Sequence, residues 1–116
     1  MHISITRLEV KGILWLPLFM IHASRSVREG QASNGLIHLE TWKGKGLVFH
    51  TLTVWEDERK KLAFVRGKAH LIAMKMTSKM ARSARSLHYE GEAIPTRGSA
   101  ERQLEFGKIH DLHQYG

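Results

Sequence analysis

Two alternating segments joined by a short glycine-containing turn constrain the fold of this chain more than any other feature. Residues 36–42 (LIHLETW) and 47–55 (LVFHTLTVW) each send successive side chains to opposite faces, and residues 43–46 (KGKG) lie between them. A period of two is typical of a half-buried strand, and a short connection containing glycine is typical of a β-hairpin. The sequence therefore predicts an antiparallel pair of strands near its centre.

Further strand and helix patterns lie on both sides of this hairpin. Residues 2–10 (HISITRLEV) are rich in β-branched side chains and predict a strand, whereas residues 15–30 place apolar side chains at helical spacing. The acidic sequence EDE, residues 56–58, suits a helix N-terminus. Helical spacing then continues to Met80, and Gly67 predicts a bend or a break within it.

A fourth strand completes a familiar order of elements. Residues 85–93 (RSLHYEGEA) predict that strand, so the order is β-α-β-β-α-β. This is the ferredoxin-like α+β arrangement, an antiparallel sheet with two helices on one face. We expect residues 1–95 to form the domain, and residues 96–116 to form a C-terminal extension with a short helix and a tail.

Both faces of the predicted central strand are largely apolar. Phe49 and Trp55 lie on one face, and Leu52 and Val54 lie on the other. Two helices cover only one face of a sheet, and a large exposed apolar surface marks an interface. We therefore expect a homodimer in which the sheets of two copies pack together, forming a dimeric α+β barrel.

The composition narrows the possible chemistry. The chain has 116 residues and no cysteine, which excludes disulfides, thiolate metal sites and a cysteine nucleophile. Its net charge of +7 is consistent with solubility, with an anionic small ligand or with nucleic acid. Nucleic acid is the least favoured of these three interpretations, because the basic residues are scattered along the chain.

The most apolar segment, residues 12–23 (GILWLPLFMIHA), is too short to span a bilayer and contains Pro17 and His22. It also lacks the position and the cleavage site of a signal peptide. We expect no membrane insertion and a cytoplasmic location.

Residues 51–74 (TLTVWEDERKKLAFVRGKAHLIAM) carry a resemblance to a known family. A strand ends in an aromatic residue and acids, another aromatic residue follows, and a small residue then precedes a histidine. The matching positions are Trp55, Glu56, Asp57, Phe64, Ala69 and His70. This pattern resembles the antibiotic-biosynthesis-monooxygenase-like superfamily of dimeric α+β barrels, including small members related to spheroidene monooxygenase. The resemblance covers residues 2–92.

The resemblance implies a fold and a range of reactions. Some members of the superfamily oxidise polyketide quinols or anthrones without metal or flavin, and others degrade haem. The haem-degrading pattern is not met here. The first strand has no Asn, Phe64 stands where that branch has a helix Trp, and His70 follows after only six positions. The leading hypothesis is a cofactor-independent monooxygenase-like enzyme for a small aromatic or isoprenoid substrate, with neither cofactor nor metal.

The same resemblance points to candidate site residues. His70 would act as the acid or base, because imidazole titrates near neutral pH. Trp15, His22, Arg25 and Trp55 would shape a pocket between the sheet and the helices. Each of these residues also has a purely structural interpretation, as a core side chain or, for Arg25, as a solvated surface cation.

Other histidines could suggest a metal site. His38, His50 and His88 lie on predicted strands without ligand spacing, and His110 and His113 lie in the C-terminal extension. We therefore predict no metal. Two further hypotheses stay open: a non-catalytic binding protein for an anionic or haem-like ligand, and a nucleic-acid binder, which steep salt dependence would reveal.

Overall fold

Five strands form one antiparallel sheet in the order β2-β3-β1-β4-β5 in the computed structural model, which describes residues 1–109. They are β1 (His2–Val10), β2 (Leu36–Lys43), β3 (Val48–Trp55), β4 (Ala81–Glu90) and β5 (Lys108–Ile109). β1 lies at the centre, with His2 opposite Trp55 of β3 and opposite Glu90 of β4. The first four strands have the ferredoxin-like order, so the predicted fold class is confirmed.

Four helices connect or follow these strands: α1 (Leu16–Gln31), α2 (Glu58–Val65), α3 (Lys68–Met80) and α4 (Arg97–Gln103). Pro17 lies in the first turn of α1, where its missing N–H is not needed. The Asp57 carboxylate caps α2 by accepting the Lys60 backbone N–H at 2.9 Å. Gly67 separates α2 from α3, as the sequence predicts. No described helix is both long and apolar enough to cross a membrane.

The fourth strand begins earlier than the sequence predicts. β4 starts at Ala81, directly after α3, and ends at Glu90, whereas the pattern indicated residues 85–93. Pairing with β1 explains the difference, because the ladder continues to Val10 opposite Ala81. Residues 81–84 (ARSA) have little strand preference of their own, and the central strand recruits them by hydrogen bonding.

One face of the sheet, here called the helix face, packs against α1, α2 and α3. Phe19 of α1 contacts Phe49 of β3, with ring centroids 4.7 Å apart. Trp55 of β3 stacks on Phe64 of α2 at 5.4 Å and is fully buried. The aromatic side chains of β3 therefore pack the sheet against its helices.

The opposite face, here called the α4 face, carries a separate cluster. Its buried members are Ile3, Ile5, Leu52, Val54, Ala100 and Leu104. Ala100 is 0% exposed and Leu104 2% exposed, so α4 and the turn after it cover this part of the sheet. The Trp42 indole N–H donates to Glu101 at 2.9 Å and ties α4 to β2.

The α4 face does not need a second copy of the chain to cover its buried cluster. The sequence led us to expect that a second copy of the chain would cover this face. The chain's own residues 97–106 cover Ile3, Ile5, Leu52 and Val54 instead, so monomer packing already buries them. The homodimer stays a prediction. The predicted short helix in the extension is present as α4, and residues 110–116, with His110 and His113, lie outside the described residues.

Candidate functional site

Three buried ring nitrogens on the helix side of the sheet have no hydrogen-bond partner among residues 1–109. They are Nε2 of His2, Nε1 of Trp55 and Nδ1 of His70. Buried polar groups in folded proteins nearly always have a partner, so such a group needs a bound water or ligand, or a functional explanation. These three nitrogens define the candidate site.

Strand pairing and ring contacts connect the three side chains. His2 and Trp55 are opposite one another on β1 and β3. Trp55 stacks on Phe64, and the His70 ring meets the Phe64 ring edge-on at 4.9 Å between centroids. We call these four rings the helix-side site. Phe64 therefore lies between the residue that the sequence favoured as acid or base and the predicted pocket tryptophan.

His70 lies in the first turn of α3 and is held in its neutral form. Burial lowers its pKa, and the Lys61 charge lowers it further, while the Val65 carbonyl and the Glu29 carboxylate raise it. The net pKa is below the ordinary value, so the ring is unprotonated at neutral pH. The ring also hydrogen-bonds to the Val65 carbonyl, and a neutral imidazole that donates from one nitrogen can accept a proton at the other.

Glu29 fixes the position of the helix that carries His70. Its Oε2 accepts the Ala69 backbone N–H at 3.0 Å, and so an α1 side chain caps α3. A Cβ atom at Gly67 would lie 1.9 Å from Oε1 of Glu29, so any side chain at that position would displace this carboxylate. Glu29 is not recognisable from the sequence, because a carboxylate near the end of one helix gives no signal that it caps another.

His2 is also oriented by a carboxylate. Its Nδ1 lies 2.7 Å from Oε1 of Glu90, so Nδ1 carries the hydrogen and, in the neutral ring, Nε2 is an acceptor. The His88 ring lies 5.6 Å from His2. His2 is not recognisable from the sequence, because a single histidine in a predicted strand has no distinguishing pattern.

One group near His2 has donors suited to a divalent cation. The ligand atoms of His2, Glu58 and Glu90 lie within 4.8 Å of one another, and both glutamates are exposed. Lys61 interacts electrostatically with Glu58, and its own pKa is lowered by burial. Since a lysine cation already balances Glu58, we assign no metal to this group.

The remaining predicted pocket residues lie elsewhere on α1 and the turn before it. Trp15 is 37% exposed, Arg25 is exposed, and His22 is half-buried. No hydrogen bond, ion pair or ring contact between described residues joins any of them to His70. The structure therefore joins His70 to Trp55 through Phe64. It shows no such contact from Trp15, His22 or Arg25 to His70.

A hollow of about 260 Å³ borders the helix-side site. Its lining includes Glu29, Lys60, Ala63 and Phe64. Two of these, Glu29 and Phe64, also interact with His70. The hollow thus gives access from solvent to the ring that separates His70 from Trp55.

Comparison with known proteins supports the fold. A protein from Nitrosomonas europaea, named for the antibiotic biosynthesis monooxygenases, superposes with a TM-score of 0.71 at 11% identity, over 80% of this chain and 100% of that one. SnoaB, a cofactor-independent oxygenase from Streptomyces nogalater, gives 0.66 at 11% identity, over 82% and 97% of the two chains. The chain has the fold of the antibiotic biosynthesis monooxygenase-like proteins.

A conserved protein from Methanosarcina mazei Go1 shares this monooxygenase-like fold, with a TM-score of 0.69 at 16% identity over 78% of this chain and 93% of that one. No family model matches the sequence, and no curated protein matches it. The resemblance inferred from residues 51–74 is therefore confirmed for the fold. At these identities a shared fold does not establish a shared reaction.

Proposed function

We propose that this chain is a cofactor-independent oxygenase for a small aromatic or isoprenoid substrate, with its chemistry at the helix-side site. The observation that supports the proposal is the group of three partnerless buried nitrogens on His2, Trp55 and His70. Phe64 is half-buried and lines the hollow, so its ring offers apolar surface there, which favours an aromatic substrate over an isoprenoid one.

The nitrogens suit different tasks. Nδ1 of the neutral His70 would take a proton from an acidic C–H of the substrate. The Trp55 indole N–H is only a donor, so it would stabilise the oxyanion of the resulting enolate. Nε2 of His2 would accept a hydrogen bond from a substrate hydroxyl.

Dioxygen would supply the oxidant for the remaining step. The enolate gives up an electron pair to O₂, and a new C–O bond forms a hydroperoxide at the carbon that lost its proton. Loss of water then breaks the O–O bond and removes the second hydrogen of that carbon. A CH₂ group and O₂ become a ketone and water, so no external reductant is needed. The protein would contribute a base in buried surroundings, since the ring nitrogens of His70 and Trp55 are both buried.

Oxygen consumption with anthrone tests this proposal. We expect wild-type protein to consume O₂ with formation of the quinone, and His70→Gln to lower kcat by about 10² to 10⁴-fold, the usual contribution of a general base. His38→Gln is the matched control, because His38 lies on β2 and contacts Glu40 away from the site. Equal rates for wild type and His70→Gln would remove His70 from the mechanism.

The same assay distinguishes an enzyme from a binding protein. A partnerless nitrogen would also suit a ligand that is held but not converted. If wild-type protein binds anthrone saturably but consumes no O₂, the chain is a binding protein and the oxygenase proposal is wrong. Absence of both binding and turnover over a panel of anthrones and quinols would contradict both functions.

We also propose that the chain works in the cytoplasm as a homodimer. Phe106, at the end of the turn that follows α4, is 86% exposed, and Ile109 on β5 is 65% exposed. Large apolar side chains exposed together near one sheet edge favour association. Native mass spectrometry at low and moderate salt is the test. We expect a dimer at both, and a monomer at both would contradict the proposal.

A further inference from the structure

A second hollow, of about 530 Å³, lies on the α4 face of the sheet, at the end where β2 and β3 are connected. Basic and apolar groups dominate its lining: Arg7, Lys45, His50, Arg85, Val48 and Leu104. Its size is in the range of small-molecule sites. It lies on the opposite side of the sheet from the helix-side site, so it is independent of the proposed oxygenase.

Three nitrogen-rich side chains stand side by side across this hollow. Arg7 of β1 is opposite His50 of β3 on one side and opposite Arg85 of β4 on the other. Neighbouring strands are only about 4.8 Å apart, and like charges at directly opposed positions destabilise a sheet. Two arginines at such positions therefore lower the stability of the sheet unless an anion lies between them.

The two arginines differ in what they contact. Arg85 donates to the carbonyls of Leu104, at 3.4 Å, and Glu105, at 3.5 Å, which holds its guanidinium against the C-terminal segment. Arg7 has no hydrogen bond or ion pair within residues 1–109. Its guanidinium, with donors arranged as a planar fork, is available for a carboxylate or a phosphate.

His50 supplies a second nitrogen without a hydrogen bond in the same hollow. It is 6% exposed, and its Nδ1 has no hydrogen bond in the described part of the chain. Oε1 of Glu101 lies 3.6 Å from that nitrogen, which is within the range of an ion pair when the ring is protonated but too far for a hydrogen bond. The His50 ring stacks on Trp42, with centroids 5.1 Å apart and 15° between planes. Trp42 is therefore a natural reporter of changes at His50.

Two carboxylates also line the hollow, and they do not cancel its charge. Glu101 and Glu105 are exposed, and Glu101 already accepts the Trp42 indole N–H. Three cations, Arg7, Lys45 and Arg85, lie opposite these two acids. The electrostatic balance of the hollow is positive.

We propose that this hollow binds a small organic anion through its carboxylate or phosphate group. Arg7 forms the bidentate contact, and Arg85, Lys45 and His50 complete the set of donors. Val48 and Leu104 contact the apolar part of the ligand. Neither the shared fold nor the helix-side site assigns this function to the α4 face.

Titration of the full chain with inorganic phosphate and with succinate, at constant ionic strength, tests the site and separates the two anion chemistries. Trp fluorescence and calorimetry are the two readouts. We expect saturable binding of one probe tighter than the other, and Arg7→Gln to weaken it at least tenfold, as loss of a charged hydrogen bond does. Arg59→Gln removes the same charge from the exposed surface of α2 and should leave the affinity within about twofold of wild type, as expected of a distant surface charge.

Three results would overturn the proposal. Equal weakening by Arg7→Gln and Arg59→Gln would show that the anions respond only to net charge. Binding of both probes weaker than about 10 mM would leave no specific site. A fluorescence change that persists in Trp42→Phe would place the anion elsewhere.

Two controls accompany these measurements. Circular dichroism of each variant checks that the fold is retained. A second variant, Arg7→Lys, keeps the charge but loses the bidentate contact, so it should still weaken binding.

Discussion

The carboxylate of Glu29, on α1, accepts a hydrogen bond from the backbone N–H of Ala69, at the start of α3, at 3.0 Å. The next residue is His70. A single contact between two helices thus satisfies a free N–H at the α3 N-terminus, places a negative charge where the helix dipole favours it, and sets the position of the candidate base.

Gly67→Ala should break this contact. The new Cβ would lie 1.9 Å from Oε1 of Glu29 and 3.0 Å from the Phe64 carbonyl, so the carboxylate must move away from Ala69. Loss of a helix cap costs about 1–2 kcal/mol of unfolding free energy, measurable by urea denaturation. Gly12→Ala is the control, because a Cβ there meets nothing within 4 Å.

A double variant shows whether the cost comes from Glu29. In a Glu29→Ala background the cap is already absent, so Gly67→Ala should then cost much less than in wild type. Additive losses would mean that the glycine is needed for a different reason, such as the Phe64 carbonyl.

Glu29→Gln should lower the pKa of His70. The glutamine oxygen can still accept the Ala69 N–H, but the negative charge that raises the pKa of His70 is gone. The pKa, already lowered by burial, should therefore fall further, as followed by NMR titration of the ring protons. Glu58→Gln is the matched control. It removes a charge that raises the pKa of His88, so His88 should shift and His70 should not.

The sequence predicts the strands and the break at Gly67 because those features have local causes. Alternation along β3 and the missing side chain of Gly67 act within a few residues. The start of β4 has no such local cause. Residues 81–84 become a strand because β1 provides hydrogen-bond partners, and an isolated segment gives no sign of that.

The sites were harder to predict than the fold for the same reason. His70 and Trp55 lie in a motif, and the structure joins them through Phe64. Arg7 and Arg85 are far apart in sequence and become neighbours only through strand register. The packing of α4 on the sheet also leaves little signal in the sequence, because Ala100 and Leu104 contact strands that are distant in the chain.

Stability should fall as the pH is lowered, in part because of His70. Burial lowers the pKa of His70 in the folded chain below that of the unfolded chain. Its contribution is therefore fully present above about pH 6.5, the unfolded value, and is lost as the pH falls through the folded value. Urea denaturation of wild type and His70→Gln over this range should show a shallower pH dependence in the variant. Identical slopes would mean that His70 is not held neutral by the fold.

Leu104→Ala should destabilise the chain through the α4 face. Leu104 is 2% exposed and packs with Ile3, Ile5 and Leu52 in the buried cluster. Truncating a buried leucine leaves a cavity and costs about 2–5 kcal/mol of unfolding free energy. Leu14→Ala is the control, because Leu14 is 93% exposed and takes no part in the proposed dimer contact. Its removal should change stability by less than about 0.5 kcal/mol. Equal, small effects of both substitutions would show that residues 97–106 do not cover the sheet in solution, and the hollow between Arg7 and Leu104 would then lose one wall.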